Sequence, residues 1–295
     1  GKSLVVCGSN NEDHQALVNA INMLLGNYGT TIDTTNYYKG QSADEKAFAA
    51  FTKKATSGAY GAVITLYCNP LYSNPAAAAA FDKIPTRIST AITMDESTTK
   101  ATHIATGLHA LESWDIKEPF NGRYVFSQPT ISPVFEGRHA ASSLLAWTGA
   151  NVADKNELSH AYHITKDVFA SAIGGDFNKA IEKGVIENAG FASVPSFNIS
   201  GNAVADKLAS KKGVETELIL YQKVGVRDGA FGNTPWAHEM PDPVSKVTWD
   251  NYLSMSMPDA KAKNLNTGDV VSIKTTSGSI ELPVLIQPGQ TKTTY

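Results

Sequence analysis

Residues 61–114 read GAVITLYCNPLYSNPAAAAAFDKIPTRISTAITMDESTTKATHIATGLHALESW. A continuous apolar run, Ala62 to Tyr67, stops at Cys68-Asn69-Pro70. A second β-rich run, Arg87 to Thr93, stops at Met94-Asp95-Glu96. Two strands that end in small polar or acidic residues build the lip of a crevice. Ligands of open parallel sheets sit in that crevice, outside the carboxyl ends of the strands. The block therefore locates where a site would lie.

Working outward, the alanine run 76–80 reads as the helix joining these strands. Upstream, Leu4 to Cys7 reads as a short buried strand and Gly8-Ser9-Asn10 as a turn. A helix is expected from Glu12 to Leu25, with Leu17, Ile21, Leu24 and Leu25 on one face, ended by Gly26. Ser42 to Glu45 has capping-box spacing and opens a helix carrying Phe48 and Phe51. This alternation is that of a parallel α/β sheet.

Downstream, Pro119 to Pro133 is punctuated by Gly, Pro and Asn and reads as an ordered surface loop. Helices are expected at 137–148, 155–171 and 177–188, with a short one capped by Ser200 and ending near Ser210. Glu215 to Lys223 alternates like a strand, and 225–243 looks like a domain connection. The last part is β: Gly268 to Thr275 and Ser279 to Gln287 alternate about a turn containing Ser277-Gly278.

The 295 residues suggest about two domains. Charged residues are 18% and hydrophobic ones 42%, a globular composition. The net charge of −3 and unclustered Lys and Arg argue against a nucleic-acid partner. No apolar run approaches the roughly 20 residues of a membrane span, so direct insertion is not expected. Both ends read as cuts from a larger protein, so a missing signal peptide says nothing about location. The two cysteines, Cys7 and Cys68, are too few for a four-thiolate site and read as small buried apolar residues.

The turn Gly8-Ser9-Asn10, between an expected strand and helix, is a place where α/β proteins bind phosphate. The G-x-G-x-x-G fingerprint is absent, however. Glu12 and Asp13 occupy the first helical turn, and each gains about 0.3–1 kcal/mol from the helix dipole. A pyrophosphate would oppose that charge, so self-capping is favoured. Asn69-Pro70 reads as a plain turn, and Asn74-Pro75 as the cap of the next helix. His109 and Glu112, beside Trp114, face each other only in a helix, and no third metal ligand accompanies them. His160 and His163 lack H-E-x-x-H spacing. Gly174-Gly175-Asp176-Phe177 reads as helix stop, cap and restart. Asn198-Ile199-Ser200 is a sequon that matters only in a eukaryotic secreted protein.

An ordered set of segments is familiar: NAINMLLGNYGTTID (19–33), ITLYCNPLYSNP (64–75), MDESTTKATHIATGLHALESWD (94–115), and NTPWAHEMPDPVSKVTWDN (233–251) followed by MPDAKAKNLNTGDVVSIKTTSGSIELPVLIQPG (257–289). In order and over nearly the whole chain, it resembles the molybdopterin oxidoreductase family. The resemblance implies a Rossmann-like parallel sheet with helices on both faces over residues 1–220. Part of a double-psi-type β-barrel would follow over 221–295. A truncated barrel has an open edge, which favours a homodimer of the isolated piece.

Within that family, PWAHEMPDPVSKVTWDN, QPTISPVFEGR (128–138) and LHALESWD (108–115) resemble the iron–sulfur subunits of bacterial respiratory alternative complex III. This implies a cofactor-free, molybdopterin-like scaffold region in a quinol-oxidising assembly. Other subunits of the membrane-bound complex would be its partners. It would lie on the periplasmic side after Tat export, with iron–sulfur clusters elsewhere in the full-length subunit. The alternative is a fragment of an active molybdenum enzyme binding molybdopterin guanine dinucleotide. The positions matching the family's dinucleotide sites are Gly8, Ser9, Asn10, Asn69, Ser73, Asp95, Glu96 and Ser97. The family's metal-ligating and iron–sulfur segments lie upstream and have no counterpart here, so no catalytic or metal residue is carried over.

Overall fold

A computed structural model describes residues 2–9, 11–40, 44–149, 157–187, 200–211, 213–229, 231–276 and 278–295. The chain divides into two units, Gly1–Gly201 and Asn202–Tyr295.

In the first unit, α1 (Glu12–Leu24) is capped by Asn11, whose side chain accepts from the backbone N–H of Asp13 and His14. Gly26, at φ 66°, ends the helix, since a left-handed residue there carries no Cβ penalty. Next, α2 (Glu45–Thr56) is capped by Asp44, which accepts from Ala47 N–H. The cap is Asp44, and Ser42 lies outside the described residues. Strand β1 (Ala62–Thr65) leads into α3 (Pro70–Ser73), a 3-10 turn (Pro75–Ala77) and α4 (Ala78–Phe81). Strand β2 (Thr86–Ser89), α5 (Glu96–Thr99) and β3 (His103–Ile104) follow.

Strands β1, β2 and β3 form a parallel sheet in that order, with Val63 beside Arg87 and Thr65 beside Ser89. Helices flank it: Ala55 of α2, Ala80 of α4 and Ile84 are buried together against Val63, with Phe51 and Tyr60. Burying a side chain the size of Ile84 stabilises by about 1.5–3 kcal/mol. Such contacts hold the short strands, because four residues of ladder alone cannot offset their ordering entropy.

Of the loop expected over 119–133, residues 119–127 instead belong to a hairpin, while 128–133 are loop as expected. Strand β4 (Asp115–Phe120) pairs antiparallel with β5 (Arg123–Ser127) about Asn121-Gly122. Asn-Gly supplies the conformations a two-residue turn needs, with Gly122 at φ 75°. Helices α6 (Ala140–Trp147), α7 (Glu157–Ala172) and α8 (Phe177–Lys183) follow. Asp176 caps α8 after Gly174 and Gly175, both at positive φ, as the stop-cap-restart reading expects. The helix expected to Asn188 ends at Lys183. Gly184 turns left-handed, and β6 (Val185–Glu187) joins the hairpin, antiparallel to β5. Phe169, Phe177 and Ala180 form the core beneath it, with Ile116 and Phe126.

The boundary of the two units falls at the start of α9 (Gly201–Ala209). In the second unit, residues 215–223 are not a continuous strand. Glu217 pairs with Thr294 and Lys223 with Arg227 as isolated bridges. A five-residue helix, α10 (Pro235–Glu239), precedes β7 (Leu253–Ser256) and α11 (Met257–Lys263). Then β8 (Val270–Thr275) and β9 (Gly278–Gln287) pair antiparallel, as their alternation predicts. Strand β7, unforeseen, lies parallel to β9, giving the order β7-β9-β8. Leu253, Met255, Ala260 and Val284 are its core. No closed barrel is formed among the described residues.

Three burial expectations fail. Residues 4–7 form no strand and join no sheet among the described residues, with Leu4 54% and Val6 78% exposed. On α1, Leu24 is 87% exposed. Both cysteines are exposed rather than buried.

Candidate functional site

The ends of β1 and β2 form the lip that the sequence marks. After Thr65 the chain turns sharply at Tyr67, which has φ 49°. Thr90, fully buried beyond β2, closes this corner. Its backbone N–H donates to Thr65 O (3.0 Å), and its Oγ1 donates to the same carbonyl (3.2 Å) and accepts from Tyr67 N–H (3.1 Å). The Tyr67 hydroxyl accepts from the backbone N–H of Leu108 (3.4 Å) and Ala140 (3.3 Å). Gly107 lies under the ring. A Cβ there would come within 2.3 Å of Tyr67 Cε1 and 2.7 Å of Thr90 O, so only glycine permits the approach.

Asn69 caps α3 with Pro70 at its first position. Its Oδ1 accepts from Ser97 Oγ (2.7 Å), Ser97 N–H (3.2 Å) and Tyr72 N–H (3.3 Å). Its Nδ2 donates to the Glu96 carboxylate (2.6 Å). Ser97 Oγ in turn accepts from Leu71 N–H (3.1 Å). Asn69 is thus more than the plain turn its local sequence suggests. It ties the β1 end to the β2 end across 28 positions.

Asp95 caps α5 by accepting from Thr98 N–H (2.7 Å), and Thr98 Oγ1 meets Ser89 Oγ at 2.8 Å. Ser89, Ser97 and Thr98 are all buried. The Asn69 hydrogen bond holds Glu96 below its ordinary 4.5. Cys68 reaches the surface, yet the protein packed around its sulfur raises its pKa above the ordinary 9.0, with the Asp95 charge adding to this. It is therefore a poor thiolate.

Of the eight matching positions, Glu96 and Ser97 each bond to Asn69, and Asp95 adjoins them as the α5 cap. Ser73 only donates back to Asn69 O at 3.4 Å, within its own helix. Gly8 and Ser9 belong to the N-terminal segment, and Asn10 lies outside the described residues. Ser9 Oγ accepts from Asn11 N–H (3.1 Å) and meets His14 Nδ1 (2.9 Å). Gln15 donates to the carbonyls of Cys7 and Ser9, and Asn22 bonds both the N–H and C=O of Val5. Asn11 already occupies two N–H groups of the first α1 turn, where Glu12 and Asp13 also sit.

His109 and Glu112 do not form a helical pair. Glu112 accepts from the backbone N–H of His109 (2.9 Å) and Val134 (3.0 Å), pinning a turn. Trp114 packs edge-on to Tyr162 at 5.1 Å. His160 and His163 both lie on α7. The sequon's Asn198 lies outside the described residues. Among the described residues, no group of three or more His, Cys, Asp or Glu is arranged to hold a metal ion. Sequence reasoning passed over Tyr67, Ser89, Thr90, Thr98 and Gly107. For Ser89 and Thr90 the trace is a small polar pair where a buried strand end should be apolar; Tyr67, Thr98 and Gly107 leave no such trace.

No family model matches the chain. No curated protein matches it. Among solved structures, acetylene hydratase from Pelobacter acetylenicus has a similar fold, with a TM-score of 0.53 at 14% identity. The match covers 83% of this chain and 38% of that one, so the chain spans well under half of the enzyme's length. At that identity the likeness shows a shared fold and nothing further.

Proposed function

We propose that this chain is the molybdopterin-like scaffold region of an electron-transfer subunit, holding neighbouring domains and partner subunits without a pterin of its own. The observation that supports this most is the closed network at the lip. The Asn69 amide has three donors on its oxygen and a carboxylate on its nitrogen. Ser97 Oγ both donates and accepts. A nucleotide would have to displace these internal bonds rather than complete open ones. The charges the lip presents are the carboxylates of Asp95 and Glu96, which repel a pyrophosphate. At the other matching position, the Asn11 cap and the acidic first turn of α1 take the place an anion would need. These residues do not fit the dinucleotide.

The resemblance to iron–sulfur subunits of alternative complex III supports the setting of this proposal. That setting is a respiratory complex on the periplasmic side, reached by Tat export, with clusters elsewhere in the intact subunit. The fold likeness to acetylene hydratase favours a second reading, a part of an active molybdenum–pterin oxidoreductase. Metal analysis of the purified intact protein separates them. The scaffold reading expects neither molybdenum nor tungsten, whereas about one such atom per chain would overturn it.

A further inference from the structure

The second unit carries a groove of about 500 Å³ that the lip does not involve. Its walls include Tyr221, Val224, Val244, Tyr252 and Ser254. This volume falls in the range of small-molecule sites, which are mostly apolar with a few convergent polar groups. Here the polar lining includes the hydroxyls of Tyr221 and Tyr252, 2.5 Å apart, together with Gln222 and Gln287. Two phenols in contact share one proton, so the pair keeps one O–H to donate outward and lone pairs to accept.

The charged groups nearby already have hydrogen-bond partners. Asp242, in the groove wall, is buried, and its Oδ1 accepts from Val244 N–H (2.9 Å) and Ser245 N–H (2.8 Å). Lys223 donates to Asp250 O (2.8 Å) and lies over the Tyr252 ring at 6.0 Å. The backbone N–H of Ser245, with that of Val244, keeps Asp242 below the ordinary carboxylate range. Burial and the Tyr252 hydroxyl raise Tyr221. An anion entering the groove would meet the Asp242 charge. A cation would compete with Lys223 already in place.

We propose that this groove binds a neutral, largely apolar small molecule bearing a carbonyl or hydroxyl oxygen, which hydrogen-bonds the Tyr221–Tyr252 pair. Val224 and Val244, left 59% and 78% exposed, would cover its body. The site is independent of the scaffold reading, since it rests on other residues.

The test uses the whole chain and the neutral fluorescent naphthyl ketone prodan, titrated to saturation. Saturable binding of one prodan per chain is expected. Tyr221→Phe and Tyr252→Phe keep the rings and lose a hydroxyl, so each should weaken binding about fivefold to tenfold. Val244→Glu, a change in an exposed loop, should weaken it at least about tenfold by placing a charge on the apolar wall. Leu24→Glu, on the exposed face of α1, should leave binding unchanged. Far-ultraviolet circular dichroism confirms that each variant folds. Non-saturating fluorescence, or equal affinity in wild type and Val244→Glu, would overturn the proposal. So would Leu24→Glu weakening binding as much as Val244→Glu.

Discussion

The strand-end lip and the N-terminal segment begin from similar sequence and end as opposite structures. Ala62–Tyr67 and Leu4–Cys7 are both apolar, β-prone runs followed by small polar residues. The first is a sheet strand whose end is tied by Asn69, Thr90 and Ser97 to the neighbouring strand end. The second has no strand beside it, and the Asn22 amide stands in for a ladder partner at Val5 alone. Local pattern licenses a strand. A neighbouring strand makes it one, because backbone groups must be paired or left to water.

The largest expected effect comes from crowding the lip. Gly107→Ala places a Cβ against Tyr67 and the Thr90 carbonyl, which are held by other bonds and cannot simply retreat. A loss of about 3 kcal/mol in urea unfolding is expected. A change near zero would mean the lip is as loose as the N-terminus.

Asn69→Ala removes a helix cap and strands the buried Ser97 hydroxyl. It should cost about 2 kcal/mol. On the scaffold reading, electron transfer in the intact assembly stays unchanged wherever the variant folds. Loss of activity in a folded protein would count against that reading.

Asn22→Ala is the matching change on the other side of the comparison. It removes two bonds to Val5 and one to Asn27 Nδ2. A cost of about 1–2 kcal/mol is expected, since the tethered segment is exposed but the buried Asn27 amide also loses its acceptor. Hydrogen exchange should speed up at Val5 while Tyr67 and Ser97 keep their protection. Faster exchange at both places would erase the distinction between the regions.

The smallest effect concerns pH. Asn69 lowers the folded-state pKa of Glu96 below its ordinary 4.5. This contribution is complete above the unfolded pKa and is lost as pH falls through the depressed folded value. The stability gap between wild type and Asn69→Ala should therefore narrow from about pH 7 to about pH 3. Carboxyl NMR should find Glu96 titrating at a higher pH in the variant. An unchanged titration would remove the Asn69–Glu96 bond from the account.

Much of this contrast is invisible along the chain. Asn-Gly at 121–122 is a strong hairpin signal, yet the Pro and Gln around it mimic a loop. The helix after Phe177 stops five residues early because Gly184 turns left-handed and Val185 finds a place beside β5. At the lip, Asn69 and Ser97 were both singled out, but nothing local says that they bond to each other.

The amino-acid order alone determined the alternation of helix and strand from α2 to β3, the cap at Asp176, and the pairing of β8 with β9. Each depends on residues close in sequence, where capping, turn chemistry and side-chain period act directly. Tertiary structure decided that Leu4–Cys7 stays outside the sheet, that β7 lies against β9, and that the two strand ends close on one another. Those outcomes require groups distant along the chain to meet, and a hydrogen bond across 28 residues forms only when the packed helices beneath it have already brought its partners within reach.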